Sequence, residues 1–206
     1  NMKQIYLHGL GQNPDSWSKV IEQLEAAEHS MCPDLSELVQ GQDTTYQNLY
    51  AAFSAMCDEI EEDICLCGLS LGGVLALNYA IEHPEKIKGL VLIATQYKMP
   101  KKLLRVQNAI FRFMPKSMFQ QTGFGKSDFL KLCNTMMELD FSDSIYNVSC
   151  PTLVIYGEKD RANKNASIEL ANMLIDAEVQ VFSGAGHEIN IEAPDKLVET
   201  LRVFFS

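Results

Sequence analysis

The amino-acid sequence predicts one α/β domain, spanning 1–206, in which a mostly parallel sheet is flanked by helices. Short apolar runs typical of buried strands alternate with longer segments whose apolar residues recur at helical spacing. Alternation of this kind is typical of a parallel sheet wrapped by helices. The chain has 206 residues, 47% of them hydrophobic, and no linker rich in Pro, Gly or Ser divides it, so it can bury one sizeable core.

The predicted elements follow one another in regular order along the chain. Six runs are predicted as strands: 5–7, 30–32, 64–67, 89–93, 153–156 and 179–182. Five segments are predicted as helices: 16–27, 45–61, 72–82, 165–175 and 194–205. We therefore expect a six-stranded, all-parallel sheet.

A serine flanked by glycines lies between the third predicted strand and the third predicted helix. It is Ser70, in the run GLSLGG from Gly68 to Gly73. The preceding run is uniformly apolar, as a strand buried on both faces must be. At a strand-to-helix turn, the pattern G-x-S-x-G exposes a serine hydroxyl, and the glycines leave room where side chains would collide. Ser70 is therefore the candidate nucleophile.

A serine hydroxyl needs a base to take its proton and a third group to orient that base. The candidate base is His187, in the run GAGHE directly after the strand candidate 179–182. The candidate acid is Asp160, which closes the run GEKD after the strand candidate 153–156. Both therefore lie at carboxyl ends of predicted strands, where open α/β sheets place their chemistry.

Other interpretations of these residues stay open. A glycine-flanked serine is often only a turn, and Asp160 is also placed to cap a helix. Glu158 and Asp34 compete with it for the role of the acid. Of the remaining histidines, His8 is expected to brace its own loop, and His29 and His83 to lie at the surface near the ends of elements.

These residues together resemble the α/β-hydrolase superfamily, in particular its compact esterase-like members. The run HGLG at 8–11 resembles the family's oxyanion loop, Ser70 its nucleophile elbow, 157–160 its acid turn and 184–194 its histidine loop. The order Ser70, Asp160, His187 is also the family's order. The similarity spans roughly 2–95 and 149–206, and the stretch between them matches no pattern.

The resemblance implies a role for each matching residue. Ser70 would be the nucleophile, His187 the general base and Asp160 its partner. The backbone N–H groups of Leu10 and Leu71 would form the oxyanion hole, in which one donor is worth about 3 to 4 kcal/mol.

The sequence departs from the family pattern in two places. The oxyanion loop follows residue 7, so the family's first hairpin is expected to be missing. The run 36–41 also stands where relatives commonly carry a Gly-His-Gly-like turn. This second departure concerns one wall of the pocket, and it does not involve Ser70, Asp160 or His187.

The segment 98–147 is predicted to be a lid or cap insertion over the site. Its first part, 98–131, holds eight of the 17 basic residues of the chain and one of its 27 acidic residues, with several Phe and Met side chains among them. We expect a small helical lid that supplies an apolar acyl pocket with a basic rim, able to hold an anionic substrate. The lysines fit an ordinary solvated helix face equally well.

Composition narrows the function further. The net charge of −10 disfavours nucleic acid as a partner. No apolar segment is long enough for stable membrane insertion, and no signal peptide is evident, so a cytoplasmic location is expected. The six cysteines show no C-x-x-C pair and are expected to be free thiols, mostly buried. No metal site and no phosphate loop are evident, and no cofactor is expected.

The sequence therefore predicts a serine hydrolase that cleaves a carboxylic ester or thioester of a small molecule through an acyl-enzyme on Ser70. Two alternatives remain. One is a lyase or acyltransferase that uses the same three residues, and the other is a ligand-binding or signalling protein on a hydrolase scaffold. The acyl chain, the leaving group and the oligomeric state stay open.

Overall fold

A six-stranded parallel sheet forms the centre of the computed structural model, which describes residues 2–120 and 122–206. Asn1 and Gln121, the latter inside the predicted lid, lie outside the described residues. The strands are β1 (Met2–Leu7), β2 (Ser30–Met31), β3 (Asp63–Leu69), β4 (Ile87–Ile93), β5 (Thr152–Gly157) and β6 (Ala177–Phe182). Their order is β2-β1-β3-β4-β5-β6, and every pairing is parallel. The predicted sheet is confirmed.

Helices connect the strands throughout the described residues. They are α1 (Ser18–Gln23), α2 (Leu35–Leu38), α3 (Tyr46–Asp58), α4 (Leu71–Glu82), α5 (Lys101–Phe113), α6 (Lys126–Met136), α7 (Arg161–Met173), α8 (Ile189–Glu192) and α9 (Pro194–Phe205). The last of these matches its predicted bounds to the residue. The other predicted helices after the first are confirmed with shifts of a few residues at their ends.

The first predicted helix, 16–27, is wrong as a continuous element. The structure has a 3₁₀ turn at Pro14–Trp17, then α1, then a second 3₁₀ turn at Ala27–His29. Glu25 adopts a positive φ of 53°, which ends the helical path. Apolar spacing alone did not indicate this break.

Both faces of the sheet are covered by apolar packing. Alternate strand residues belong to different clusters, because successive side chains of a strand point to opposite faces. In β4, Leu90 and Leu92 pack in a cluster with α3 and α4, whereas Val91 and Ile93 pack in a second cluster with α1 and α9. This two-sided burial explains why the central strands read as uninterrupted apolar runs.

The predicted lid segment contains α5, a 3₁₀ turn at Lys116–Phe119, and α6. Four phenylalanines hold this segment together by edge-to-face packing, and the closest pair, Phe119 and Phe129, has ring centroids 4.7 Å apart. Thr135 of α6 accepts a hydrogen bond from the backbone N–H of Tyr46, at the start of α3, at 2.9 Å. The segment is thereby attached to the body of the protein.

The six cysteines, all within the described residues, carry free thiols, and five of them are buried. Burial raises the pKa of Cys32, Cys57 and Cys65 to about 12. These thiols therefore stay protonated and act as packing groups, which confirms the sequence expectation. Across the described residues, no helix combines the length and the apolar character needed to cross a bilayer.

The start of α4 lies against the end of β1 with no space between them. A Cβ atom on Gly72 would lie 2.3 Å from the carbonyl oxygen of Leu7 and 2.8 Å from that of His8. This close approach sets the distance between the turn at Ser70 and the loop that follows β1.

We expect Gly72→Ala to lower the free energy of unfolding by about 2 kcal/mol or more, because the added methyl group overlaps backbone atoms that cannot move independently. In a helix without such a contact, the same change stabilises by about 1 kcal/mol. Denaturant unfolding measures the sign. Ala51→Gly, on the exposed face of α3, measures how much the free energy of unfolding differs between alanine and glycine in a helix without such a contact. A stabilised Gly72→Ala variant would contradict the prediction.

Candidate active site

Ser70 occupies a strained turn between β3 and α4. Its backbone has φ 55° and ψ −113°, outside the regions that residues other than glycine normally adopt. The turn is held on both sides: the Ser70 N–H donates to the carbonyl of Ile93 at 2.8 Å, and the Ser70 carbonyl accepts from the N–H of Val74 at 3.0 Å. The surrounding structure thus maintains a conformation that the chain alone would avoid.

His187 and Asp160 form a hydrogen-bonded pair at the ends of neighbouring strands. Asp160 follows β5, His187 follows β6, and the distance from His187 Nδ1 to Asp160 Oδ2 is 2.9 Å. The carboxylate is buried, whereas the imidazole side chain is 44% exposed. With Nδ1–H donating to the carboxylate, the second ring nitrogen, Nε2, is the acceptor of the neutral imidazole.

Asn163, in the first turn of α7, holds the carboxylate from its other side. Its Nδ2 donates to both carboxylate oxygens of Asp160, at 3.0 and 2.9 Å. Its Oδ1 accepts a hydrogen bond from Gln96 Nε2 at 2.8 Å. Burial raises the pKa of Asp160, but the hydrogen bonds from His187 and Asn163 outweigh burial and keep that pKa below its usual value.

A cavity of about 540 Å³ brings all the predicted site residues together. Ser70, Asp160 and His187 line it, as do Leu10 and Leu71. Leu71 is the first residue of α4, where the N–H has no partner within the helix. The rest of the wall is mainly apolar and includes seven residues of the predicted lid segment: Leu103, Leu104, Val106, Ile110, Phe111, Cys133 and Met136.

The predicted basic rim is wrong for this cavity, because no lysine or arginine lines it among the residues that the structure describes. Lysines of the predicted lid segment instead contact acidic side chains that do not line the cavity. Lys101 lies 3.1 Å from Glu138, Lys131 lies 3.2 Å from Asp43, and Lys98 lies 3.9 Å from Asp140. The charge of the segment is evident from its composition, whereas the direction of its side chains depends on how the segment packs.

Comparison with known proteins agrees with this architecture. The model of the alpha/beta hydrolase family matches residues 5–200. The chain belongs to the alpha/beta hydrolase family.

This alpha/beta hydrolase has curated relatives among esterases and lipases. It is 37% identical over 91 residues to a pimeloyl-[acyl-carrier protein] methyl ester esterase of Aromatoleum aromaticum, a match covering 44% of this chain and 36% of that protein. The chain thus spans little more than a third of this relative. A match to Lipase 1 of Psychrobacter immobilis, at 23% identity, covers 98% of this chain and 76% of that one.

Solved structures share the fold. The enol-lactonase from Burkholderia xenovorans LB400 superposes with a TM-score of 0.81 at 18% identity, covering 100% of this chain and 92% of that one. At this identity the likeness shows the fold alone.

The competing acids of this alpha/beta hydrolase have other contacts. Glu158 accepts a hydrogen bond from the backbone N–H of Gly184 at 2.7 Å, and Asp34 caps α2 by accepting from Ser36 N at 3.0 Å. Within the described part of the chain, neither carboxylate contacts His187. Asp160 is therefore the carboxylate that the fold brings to this imidazole.

His8 is buried and braces the loop after β1, as the sequence predicted. Its Nδ1 donates to the carbonyl of Gly9 at 2.9 Å, and its Nε2 accepts from the N–H of Leu35 at 3.1 Å. Burial lowers the pKa of His8, which keeps the ring neutral and suits one donor and one acceptor.

Two buried amide side chains join the loop that carries Leu10 to the loop that carries His187. Gln12 Nε2 donates to Asn190 Oδ1 at 3.0 Å, and Asn190 Nδ2 donates to Gln12 Oε1 at 3.2 Å. The same Gln12 oxygen accepts from the N–H of Gly9 at 3.0 Å. This Gln12–Asn190 pair fixes the loop after β1 relative to the segment that follows His187.

Sequence reasoning missed Asn163, Gln96, Gln12 and Asn190. For Asn163 a signal existed: it follows Asp160 by three residues, which places both on one face of a helical turn. The Gln12–Asn190 pair joins residues far apart in the chain, and no local pattern indicates such a contact.

We expect Asn163→Ala to raise the pKa of Asp160, because the carboxylate loses its donor amide while staying buried. The stabilisation that the ionised carboxylate provides above the pKa of the unfolded chain would then be smaller, because it scales with the difference between the unfolded and the folded pKa. Carboxyl-carbon NMR titration measures the pKa directly.

Asn165→Ala, on the exposed side of the same helix, is the matched control and should leave the pKa of Asp160 unchanged. Equal pKa values of Asp160 in the wild type and in Asn163→Ala would show that the amide contributes nothing to the carboxylate.

Proposed function

We propose that this alpha/beta hydrolase is a serine hydrolase that cleaves a carboxylic ester or thioester of a small molecule through an acyl-enzyme on Ser70. The observation that carries the proposal is that Ser70 and the hydrogen-bonded pair of His187 and Asp160 line one apolar cavity. The esterase and lipase names of the curated relatives support the same reaction class.

In the proposed reaction, His187 Nε2 takes the proton of the Ser70 hydroxyl as Oγ attacks the carbonyl carbon. Asp160 holds the imidazole through Nδ1 and stabilises the imidazolium that forms. The backbone N–H groups of Leu10 and Leu71 donate to the oxygen on which negative charge develops. The imidazolium then protonates the leaving group, and a water activated by His187 cleaves the acyl-enzyme.

The cavity supports an apolar acyl group as the part of the substrate that the protein encloses. Its volume of about 540 Å³ lies in the range of small-molecule sites, and its lid side is aliphatic and aromatic. An anionic acyl group is disfavoured there, because no cation of the described residues lines the cavity. The cytoplasmic location expected from the sequence stays a prediction.

We expect Ser70→Ala to abolish ester turnover and covalent labelling by a fluorophosphonate, because the nucleophilic oxygen is removed. Ser183→Ala, an exposed serine in the turn before His187, should retain both. Mass spectrometry of the labelled chain locates the adduct, and a label on another residue would overturn the assignment.

Product analysis separates the alternatives. If turnover requires Ser70, Asp160 and His187 but the products contain no added water, a lyase or an acyltransferase is favoured. Tight ligand binding with turnover below about one per minute would favour a binding or signalling protein, since enzymes typically reach 1 s⁻¹ or more.

We expect Asp160→Asn to lower kcat by about 10⁴, because an amide at this position stabilises the wrong imidazole tautomer. Glu158→Gln, two residues earlier, is the control and should change kcat little, since its side chain contacts the Gly184 backbone instead. Steady-state kinetics on a p-nitrophenyl ester measures both variants. If Glu158→Gln lost more activity than Asp160→Asn, the role of the acid would move to Glu158.

A further inference from the structure

The outer face of α5 carries an exposed apolar stripe. Four side chains recur at spacings of three and four residues, which places them along one side of the helix: Leu103, Val106, Ile110 and Phe113. They are 46%, 58%, 56% and 89% exposed, respectively. Met118, in the 3₁₀ turn that follows, is 61% exposed. Contiguous exposed apolar side chains of this kind mark a binding surface.

Packing on the core and lining of the cavity account for only part of this stripe. The side of α5 that faces the body buries Leu104 and the polar Asn108, whereas Ile110 and Phe113 face outward. A helix that packs on a core normally does the reverse, with its apolar residues inside and its amides in water. Leu103, Val106 and Ile110 also line the cavity, whereas Phe113 and Met118 are exposed beyond its lining. The part of the stripe formed by Phe113 and Met118 therefore has no partner among the described residues.

Cationic side chains lie beside the stripe on the same helix. They are Lys101, Lys102, Arg105 and Arg112, and Lys116 follows in the next turn. Among the described residues, Lys101 pairs with Glu138, while Lys102, Arg105 and Arg112 have no acidic side chain at ion-pair distance. The chain as a whole has a net charge of −10, so positive charge is concentrated on this face.

We propose that α5 docks this protein onto the surface of an anionic phospholipid bilayer. The helix lies in the plane of the interface, with the apolar stripe at the acyl boundary and the cations among the phosphate groups. This is attachment to the surface and not insertion across the bilayer. The proposal does not depend on the chemistry of Ser70.

The size of the surface favours a bilayer over a folded partner. A helix of 13 residues is about 20 Å long and about 10 Å wide, far less than the roughly 800 Å² that each partner of a stable protein interface buries. A fluid interface adapts to a convex helix without a preformed groove. The acidic remainder of the chain is screened beyond about 8 Å at physiological ionic strength.

The stripe also continues into the cavity. Leu103, Val106 and Ile110 line the cavity, and Phe113 and Met118 extend the stripe beyond its lining. Docking on this face therefore brings the mouth of the cavity to the lipid. An apolar chain could then pass from the bilayer to the cavity along side chains that exclude water.

The test is co-sedimentation of the full chain with vesicles of phosphatidylcholine, with and without phosphatidylglycerol. We expect binding that requires phosphatidylglycerol and weakens steeply as ionic strength rises from about 0.1 M to about 1 M. Phe113→Ser should lower the partition coefficient about tenfold through loss of a buried aromatic side chain. The double variant Lys102→Glu/Arg105→Glu should lower it by at least about tenfold.

Matched controls lie elsewhere on the surface. Val203→Ser removes a 77% exposed apolar side chain from α9, and Lys164→Glu reverses an exposed charge on α7. Both should bind vesicles like the wild type. Thermal unfolding of each variant checks that the fold is kept. Ser70→Ala should also bind normally, which separates failure of this proposal from failure of the proposed hydrolysis.

Four results would overturn the proposal. The first is absence of wild-type binding to anionic vesicles, and the second is binding that the α5 variants leave unchanged. The third is a concentration-dependent dimer that Phe113→Ser dissociates, without vesicle binding, which would assign the stripe to contact between two copies of the chain. Capture of an acidic protein in place of vesicles would likewise contradict it.

Discussion

The candidate site depends on one buried carboxylate that stays ionised. Taking the Asp160 carboxylate out of water disfavours its charge, and the two hydrogen bonds from Asn163 and the one from His187 offset that cost. The ionised carboxylate in turn fixes which nitrogen of His187 carries the proton and which one faces the cavity. Without this contact, the exposed imidazole would have no fixed orientation at the wall of the cavity.

Backbone packing and contacts between loops set the relative positions of Ser70, Leu10 and His187. Gly72 allows the start of α4 to touch the end of β1, so the turn at Ser70 lies beside the loop that carries Leu10. The Gln12–Asn190 pair then ties that loop to the one carrying His187. Each contact joins segments that are distant in the chain, and together the contacts set the positions of groups that come from three separate strand ends.

The helix α5 belongs both to the cavity and to the outer surface. Its inner side packs on α6 and the body, and one flank lines the cavity. The opposite flank carries Lys102, Arg105 and Arg112, which have no acidic partner at ion-pair distance among the described residues. A single amphipathic helix therefore lines the cavity and, by our proposal, attaches the protein to lipid. The excess positive charge of 98–131 lies on side chains that do not line the cavity.

The sequence by itself determined the parallel sheet and the identity of Ser70, His187 and Asp160 as candidates, because apolar runs and glycine-bounded turns are local signals. It also predicted the bounds of α9, because Pro194 at the first helical position marks the start of the helix. Only the tertiary structure decided the contacts of Asn163, the Gln12–Asn190 pair, the break at Glu25 and the outward direction of the lid cations. These depend on which distant segments meet, and side-chain spacing along one segment carries no information about that.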